Sequence, residues 1–235
     1  MSIKENLYDF RNQEIAEGKN FEQLKKELIQ SLKNYSPEAS PTKAAGITYE
    51  QAQKILSALL KERIYQDHNT YDPQGNIGFC FGRAMYLHIQ LLRHGVAKDS
   101  IKKIFAIGPM FEGGINWQFH VATMVKDKNS NDWWVLDSNL PRPFAAEKWI
   151  AYYQKFRVDQ KSRFFGLFKS TDPQKSIRFY VTEASKLGSS TWQYSPYGLN
   201  DPFYNNFFKD MLRDFKENPV ALTEKFHPAQ CRQLF

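Results

Sequence analysis

The sequence predicts an α+β fold in which a cysteine-bearing helix packs on an antiparallel sheet, with helical segments on both sides. Three observations carry this. The stretch GFCFGRAMYLHIQLLRHG (78–95) places apolar residues at helical spacing. Two alternating stretches rich in aromatic and β-branched residues follow it, WQFHVATMV (117–125) and WWVLDSN (133–139), joined by the polar KDKNSND (126–132). Before and after this middle section the apolar pattern returns to helical spacing.

The chain has 235 residues, 42% hydrophobic and 24% charged, a balance typical of a folded domain with a substantial core. Aromatics reach 15%, so rings carry much of the packing. No apolar run is long enough to span a bilayer, and MSIKENLYDFRNQEIAEGKN lacks the apolar segment of a secretory signal. The expectation is a cytoplasmic protein, or an effector secreted by a route that needs no such signal. Two cysteines, Cys80 and Cys231, make no disulfide framework. The net charge of +7 would suit an acidic partner, but the lysines are scattered and form no dense block, which argues for a solvated face and against nucleic acid.

Residues 4–35 read as one or two amphipathic helices, with Phe21, Leu24, Leu28 and Leu32 on one face. SPEASPTKAAG (36–46) is a connector and the clearest boundary in the chain. In TYEQAQKILSALLKERIYQ, Thr48 and Gln51 have capping-box spacing, and Ile55, Leu56, Leu59 and Leu60 form an apolar stripe. DHNTYDPQGNIG (67–78) reads as a loop; Tyr71 at a ligand position and a missing glycine exclude a calcium loop. The next helix runs from about Cys80 to His94, with Ala84, Leu87, Leu91 and Leu92 on one face and Gly95 placed to stop it. A first strand, IKKIFAIGPMF, precedes the alternating pair. Beyond Pro141 the pattern gives a helix near 145–156, a strand in SIRFYVTE and a last helix in DPFYNNFFKDMLRDFKEN. Zinc is not expected, because no HxxxH or CxxC pair exists.

Candidate chemistry starts at Cys80. A thiol at a helix N-terminus sits at the positive end of the peptide dipole, where its thiolate is favoured. In WQFHVATMV, alternation places Trp117, Phe119, Val121, Thr123 and Val125 on one face, and Gln118, His120, Ala122 and Met124 on the other. A four-residue loop (127–130) would set His120 directly across from Asp137, and a two-residue loop is expected to set Asp137 opposite Ala122, diagonal to His120. In either register the carboxylate reaches the imidazole, and burial of each is tolerable only if they pair. A helix-start Cys, a strand His and a next-strand Asp form a candidate catalytic triad. Trp117, Trp133 and Trp134 are expected in the core, with walling a cleft as the competing role for all three. Arg83 is expected in a structural pairing and His88 as a partly buried helix residue.

In their order and local contexts the three motifs resemble the papain-like, transglutaminase-fold cysteine enzymes, and most closely the bacterial protein-glutaminases. The carrying segments are CFGRA at Cys80–Ala84, WQFHVA at Trp117–Ala122 and VLDSNLPRPF from Val135, within residues 75–145. Two positions depart from the family pattern: Phe79 stands between Gly78 and the nucleophile, and Ser138 occupies the place of a proline after the acid. The resemblance implies a papain-like/transglutaminase-type core and deamidation of glutamine side chains in a protein substrate, with no cofactor or metal and no nucleic acid. It implies Cys80, His120 and Asp137 as the catalytic residues. For the oxyanion it leaves the Cys80 N–H and a second donor from Phe79 and the loop before it, or from Trp117 and Gln118. The same triad on the same fold serves transglutaminases and peptidases, and a bacterial effector acting on other proteins would fit. The expected organisation is a helical segment and linker at 1–46, a catalytic core at 47–185 and a helical extension at 186–235. The competing reading is a module that binds a partner through its basic, aromatic surface without catalysis.

Overall fold

The middle strands carry apolar side chains on both faces, Val121 and Val125 on one and Ala122 and Met124 on the other, so both sheet faces must be covered, and helices cover both. The computed structural model describes residues 3–38, 41–62, 80–112, 115–156 and 173–183. The 67–78 loop, Phe79, Cys231 and the expected helix at 201–218 lie outside the described residues. The antiparallel sheet comprises β1 (Ile101–Glu112), β2 (Ile115–Lys126), β3 (Trp133–Leu136), β4 (Phe144–Ala145) and β5 (Arg178–Glu183), in the order β4-β3-β2-β1-β5. The α-helices among the described residues are α1 (Ile3–Ala16), α2 (Phe21–Asn34), α3 (Tyr49–Leu59), α4 (Cys80–Arg93) and α5 (Ala146–Gln154). None of them is long and apolar enough to cross a membrane.

One face of the sheet receives α3 and α4: Ile55, Leu56, Leu59, Leu87 and Leu91 pack with Ile101, Val125 and Leu136. Beside them Ala84 of α4 and Leu7 of α1 join Phe105, Ile107 and Val121, with Cys80 packed against this group. The other face receives α2 and α5, whose Leu32, Trp149, Ile150 and Tyr153 pack with Ile104, Ala106, Ala122, Met124 and Val135. Burying each such aliphatic or aromatic side chain contributes about 1.5–3 kcal/mol, so the two layers hold α4 and α5 against opposite sides of β2.

The helix signals in the sequence form as expected. Thr48 and Gln51 make both bonds of the capping box at α3. At the end of α4, Gly95 takes a positive φ of 85°, with its N–H bonded to Leu92 C=O and that of Val96 to Leu91 C=O. This left-handed stop turns the chain sharply into β1. A short 3-10 turn, Lys98–Ser100, lies between them.

Two strand expectations change. Lys126 pairs with Trp133, so residues 127–132 form the β2–β3 connection, closed by the Asp127 N–H on Asp132 C=O. The loop is thus longer than either considered from the sequence, yet it delivers the diagonal register: Thr123 faces Leu136, which brings Asp137, the next residue, level with Ala122. The second change is a bulge in β1, where the register shifts between Ile107 and Met110. Gly108 sits in it at φ 137°, and a Cβ there would lie 2.6 Å from the Ser176 carbonyl. A bulge adds twist to its strand pair. Trp117, opposite Met110, accordingly packs with the α5-side cluster that alternation denied it.

Candidate active site

His120 points from β2 toward α5 and is buried, 2% exposed. Its Nε2 lies 2.8 Å from Asp137 Oδ2. Asp137 stands one residue past the end of β3, 1% exposed, where a carboxylate survives only with its oxygens satisfied. They are: Trp149 Nε1 donates to Oδ2 at 2.7 Å, Tyr153 Oη donates to Oδ2 at 2.8 Å, and the Asn139 N–H donates to Oδ1 at 3.0 Å. The Leu140 N–H closes the turn on the Asp137 carbonyl.

Burial opposes charge on both groups, and the pair overcomes it. For His120, desolvation lowers the pKa, but the charge and hydrogen bond of Asp137, with smaller contributions from Cys80, raise it from 6.5 to about 10. For Asp137, desolvation is outweighed by the charge and hydrogen bond of His120 and by the Asn139 and Trp149 donors, which hold the carboxyl below its ordinary value. Both shifts favour the charged pair, imidazolium facing carboxylate.

Cys80 is half-buried at the first position of α4, near enough to the His120 ring to help raise its pKa. With Nε2 committed to Asp137, Nδ1 is the ring nitrogen left for the thiol. Cys80 and His120 belong to opposite faces of the sheet, and they meet where β3 has ended: Leu136 is its last residue, opposite Thr123, so β2 from Ala122 back toward Trp117 lies beyond the end of β3. A thiol, an imidazole and a carboxylate gathered at this edge are residue types that can serve as nucleophile, base and orienting acid.

The other expected residues separate. The Trp117 ring lies 5.7 Å from the His120 ring, and Gln118 beside it is exposed. Arg83, one turn into α4, donates to Ser138 Oγ at 3.4 Å and so ties α4 to the residue after Asp137. Trp133 is buried in the core and Trp134 packs edge-on against Tyr49. His88 of α4 is buried and held neutral, its pKa lowered to about 3 by burial and then by the charge of Lys103. Among the described residues no three His, Cys, Asp or Glu side chains converge as a metal site needs.

Sequence reasoning missed Trp149 and Tyr153. Their rings stack on His120 at centroid distances of 6.0 and 4.7 Å, and their polar tips hold Asp137. The signal was present: both stand at i, i+4 spacing in AEKWIAYYQ, one face of a helix, and each carries a donor that needs a partner when buried.

No protein-family model matches the chain, and no curated protein matches it. Among solved structures it is similar to a pro-protein-glutaminase, at 15% identity, TM-score 0.42, covering 79% of this chain and 66% of that one. It is similar to a protein-glutaminase at 15% identity and TM-score 0.38, covering 62% and 75% respectively. To the A47Q2 mutant of pro-protein-glutaminase it has 13% identity and TM-score 0.40 over 64% of this chain, and it spans 52% of that chain, about half its length.

Proposed function

We propose that this chain is a cysteine-dependent amidohydrolase that deamidates glutamine side chains in proteins. The observation that carries the reading is His120, buried between Asp137 on Nε2 and the Cys80 thiol. A buried imidazole with one nitrogen fixed by a carboxylate and the other offered to a thiol at a helix start is arranged for proton transfer rather than for packing.

The Cys80 proton passes to His120. Sulfur attacks the side-chain amide carbon and the carbonyl π pair moves to oxygen. The Cys80 N–H, one of the donors at the start of α4 that no carbonyl of the helix can reach, is directed at that oxygen; one such donor is worth about 3 kcal/mol. The tetrahedral adduct collapses, the C–N bond breaks and His120 gives its proton to the departing ammonia. Water then loses a proton to His120, attacks the thioester carbon and expels the Cys80 thiolate, leaving glutamate. Asp137 keeps one tautomer and one ring orientation throughout, and Trp149 and Tyr153 act as positioning residues through it. Selection of glutamine over other amides rests on the CFGRA, WQFHVA and VLDSNLPRPF motifs and their resemblance to the protein-glutaminases.

The test is ammonia release from a glutamine-bearing protein, with mass spectrometry for conversion of glutamine to glutamate. The native chain is expected to release ammonia and Cys80→Ala to release none. Incorporation of an added amine, or cleavage of the main chain, in place of deamidation would replace the proposed reaction with that of a transglutaminase or a peptidase.

A further inference from the structure

Beneath the nucleophile helix the sheet buries a lysine without an acid. Lys103 of β1 is 1% exposed and faces α4. Its Nζ donates to the Ala84 carbonyl of α4 and to Oγ1 of Thr123, its cross-strand partner on β2. The Thr123 hydroxyl donates to the same carbonyl at 2.6 Å. Among the described residues no carboxylate pairs with Lys103; burial alone drives its pKa well below the usual lysine value. A methionine of similar length would fill the site without burying a polar head, so packing gives no reason for an amine there.

The place of these bonds gives one. Ala84 lies four residues, about one helical turn, after Cys80, and Thr123 lies three residues along β2 from His120. Between them α4 rests on apolar side chains: Ala84 and Leu87 against Phe105, Val121 and Val125. Such contacts are non-directional and resist sliding along the helix axis weakly, whereas hydrogen bonds fix direction and distance.

Given the catalytic reading above, we propose that Lys103 and Thr123 are positioning residues that set the height of Cys80 against His120 by anchoring the Ala84 carbonyl to β1 and β2. Two donors from adjacent strands hold one carbonyl, so the first turn of α4 keeps one register on the sheet. The sulfur then stays in line with Nδ1.

Alkylation of the full chain by iodoacetamide tests this without a substrate, with Cys80 and Cys231 followed separately by peptide mass spectrometry. In the native protein Cys80 is expected to react faster than Cys231. Lys103→Met and Thr123→Val are expected to melt no lower than a few degrees below the native chain, yet to slow Cys80 by about tenfold or more, since displacements near 1 Å cost up to about a hundredfold. Thr123→Ser, which keeps the hydroxyl, restores the native rate. Folded Lys103→Met or Thr123→Val protein whose Cys80 reacts at the native rate overturns the positioning role and leaves the catalytic reading standing. Native Cys80 reacting no faster than Cys231 overturns the catalytic reading and this inference with it.

Discussion

The two faces of the sheet bury titratable groups in opposite ways. Toward α5, Asp137 and His120 form an ion pair in which the carboxylate accepts from Nε2, Trp149, Tyr153 and the Asn139 N–H. Toward α4, Lys103 has a carbonyl and a hydroxyl for company, and burial drives its pKa down. The first face keeps its charges by pairing them; on the second, burial disfavours the charge and hydrogen bonds to neutral oxygens hold the amine. Two strands of one sheet thus support opposite electrostatic solutions a few residues apart, because the partners on each face come from different helices.

The largest expected effect separates the faces by deletion. Asp137→Ala removes the acceptor of three side-chain donors and leaves His120 buried alone, which should cost about 3–5 kcal/mol of stability. Lys103→Met on the other face should be neutral or stabilising, because it removes a buried polar head. Urea denaturation of both variants measures the contrast, and equal losses would erase it.

The next effect is in pH. Folded His120 holds its proton up to about 10, whereas the unfolded chain releases it near 6.5. Its contribution is complete below the unfolded value and is lost as pH rises through about 10. Asp137, lowered on folding, contributes above its unfolded value and loses that contribution as pH falls through the folded one. Lys103 runs against His120: the unfolded chain holds its proton up to 10.5 and the folded chain gives it up earlier, so its penalty shrinks as pH rises toward 10.5. Urea midpoints between about pH 6.5 and 10 should therefore fall more steeply in Lys103→Met than in the native chain. Asp137→Asn should show the opposite, rising slope. Superimposable profiles for the two variants would mean that neither group titrates as its surroundings require.

The smallest effect sharpens the α5 side. Tyr153→Phe removes one of the donors at Oδ2 while Trp149 and His120 remain, so a loss of about 1 kcal/mol is expected. Ammonia release should fall less than in Asp137→Ala. Equal losses of activity in the two variants would make Tyr153 more than a support for the carboxylate.

The elements were legible because their signals are local. The Thr48–Gln51 capping box, the stop at Gly95 and the alternation of β2 and β3 each sit within a few residues, and each formed. The pairing of His120 with Asp137 could be read because one face and two adjacent strands leave few registers. Trp117 was misplaced for the complementary reason: the bulge at Ile107/Met110 lies on the partner strand, and alternation within β2 carries no trace of it.

By itself, then, the sequence determined a helix that begins at Cys80, strands that put His120 and Asp137 on a shared face, and the chemistry these residue types allow. Tertiary structure decided the rest. It ended β3 at Leu136 so that a thiol on one face could meet an imidazole on the other. It brought Trp149 and Tyr153 to the carboxylate from a separate helix, and it set Lys103 and Thr123 under Ala84. Propensity and periodicity act over a turn or a strand, whereas the partner of a buried polar group is fixed by whichever distant segment the packing of both faces brings against it.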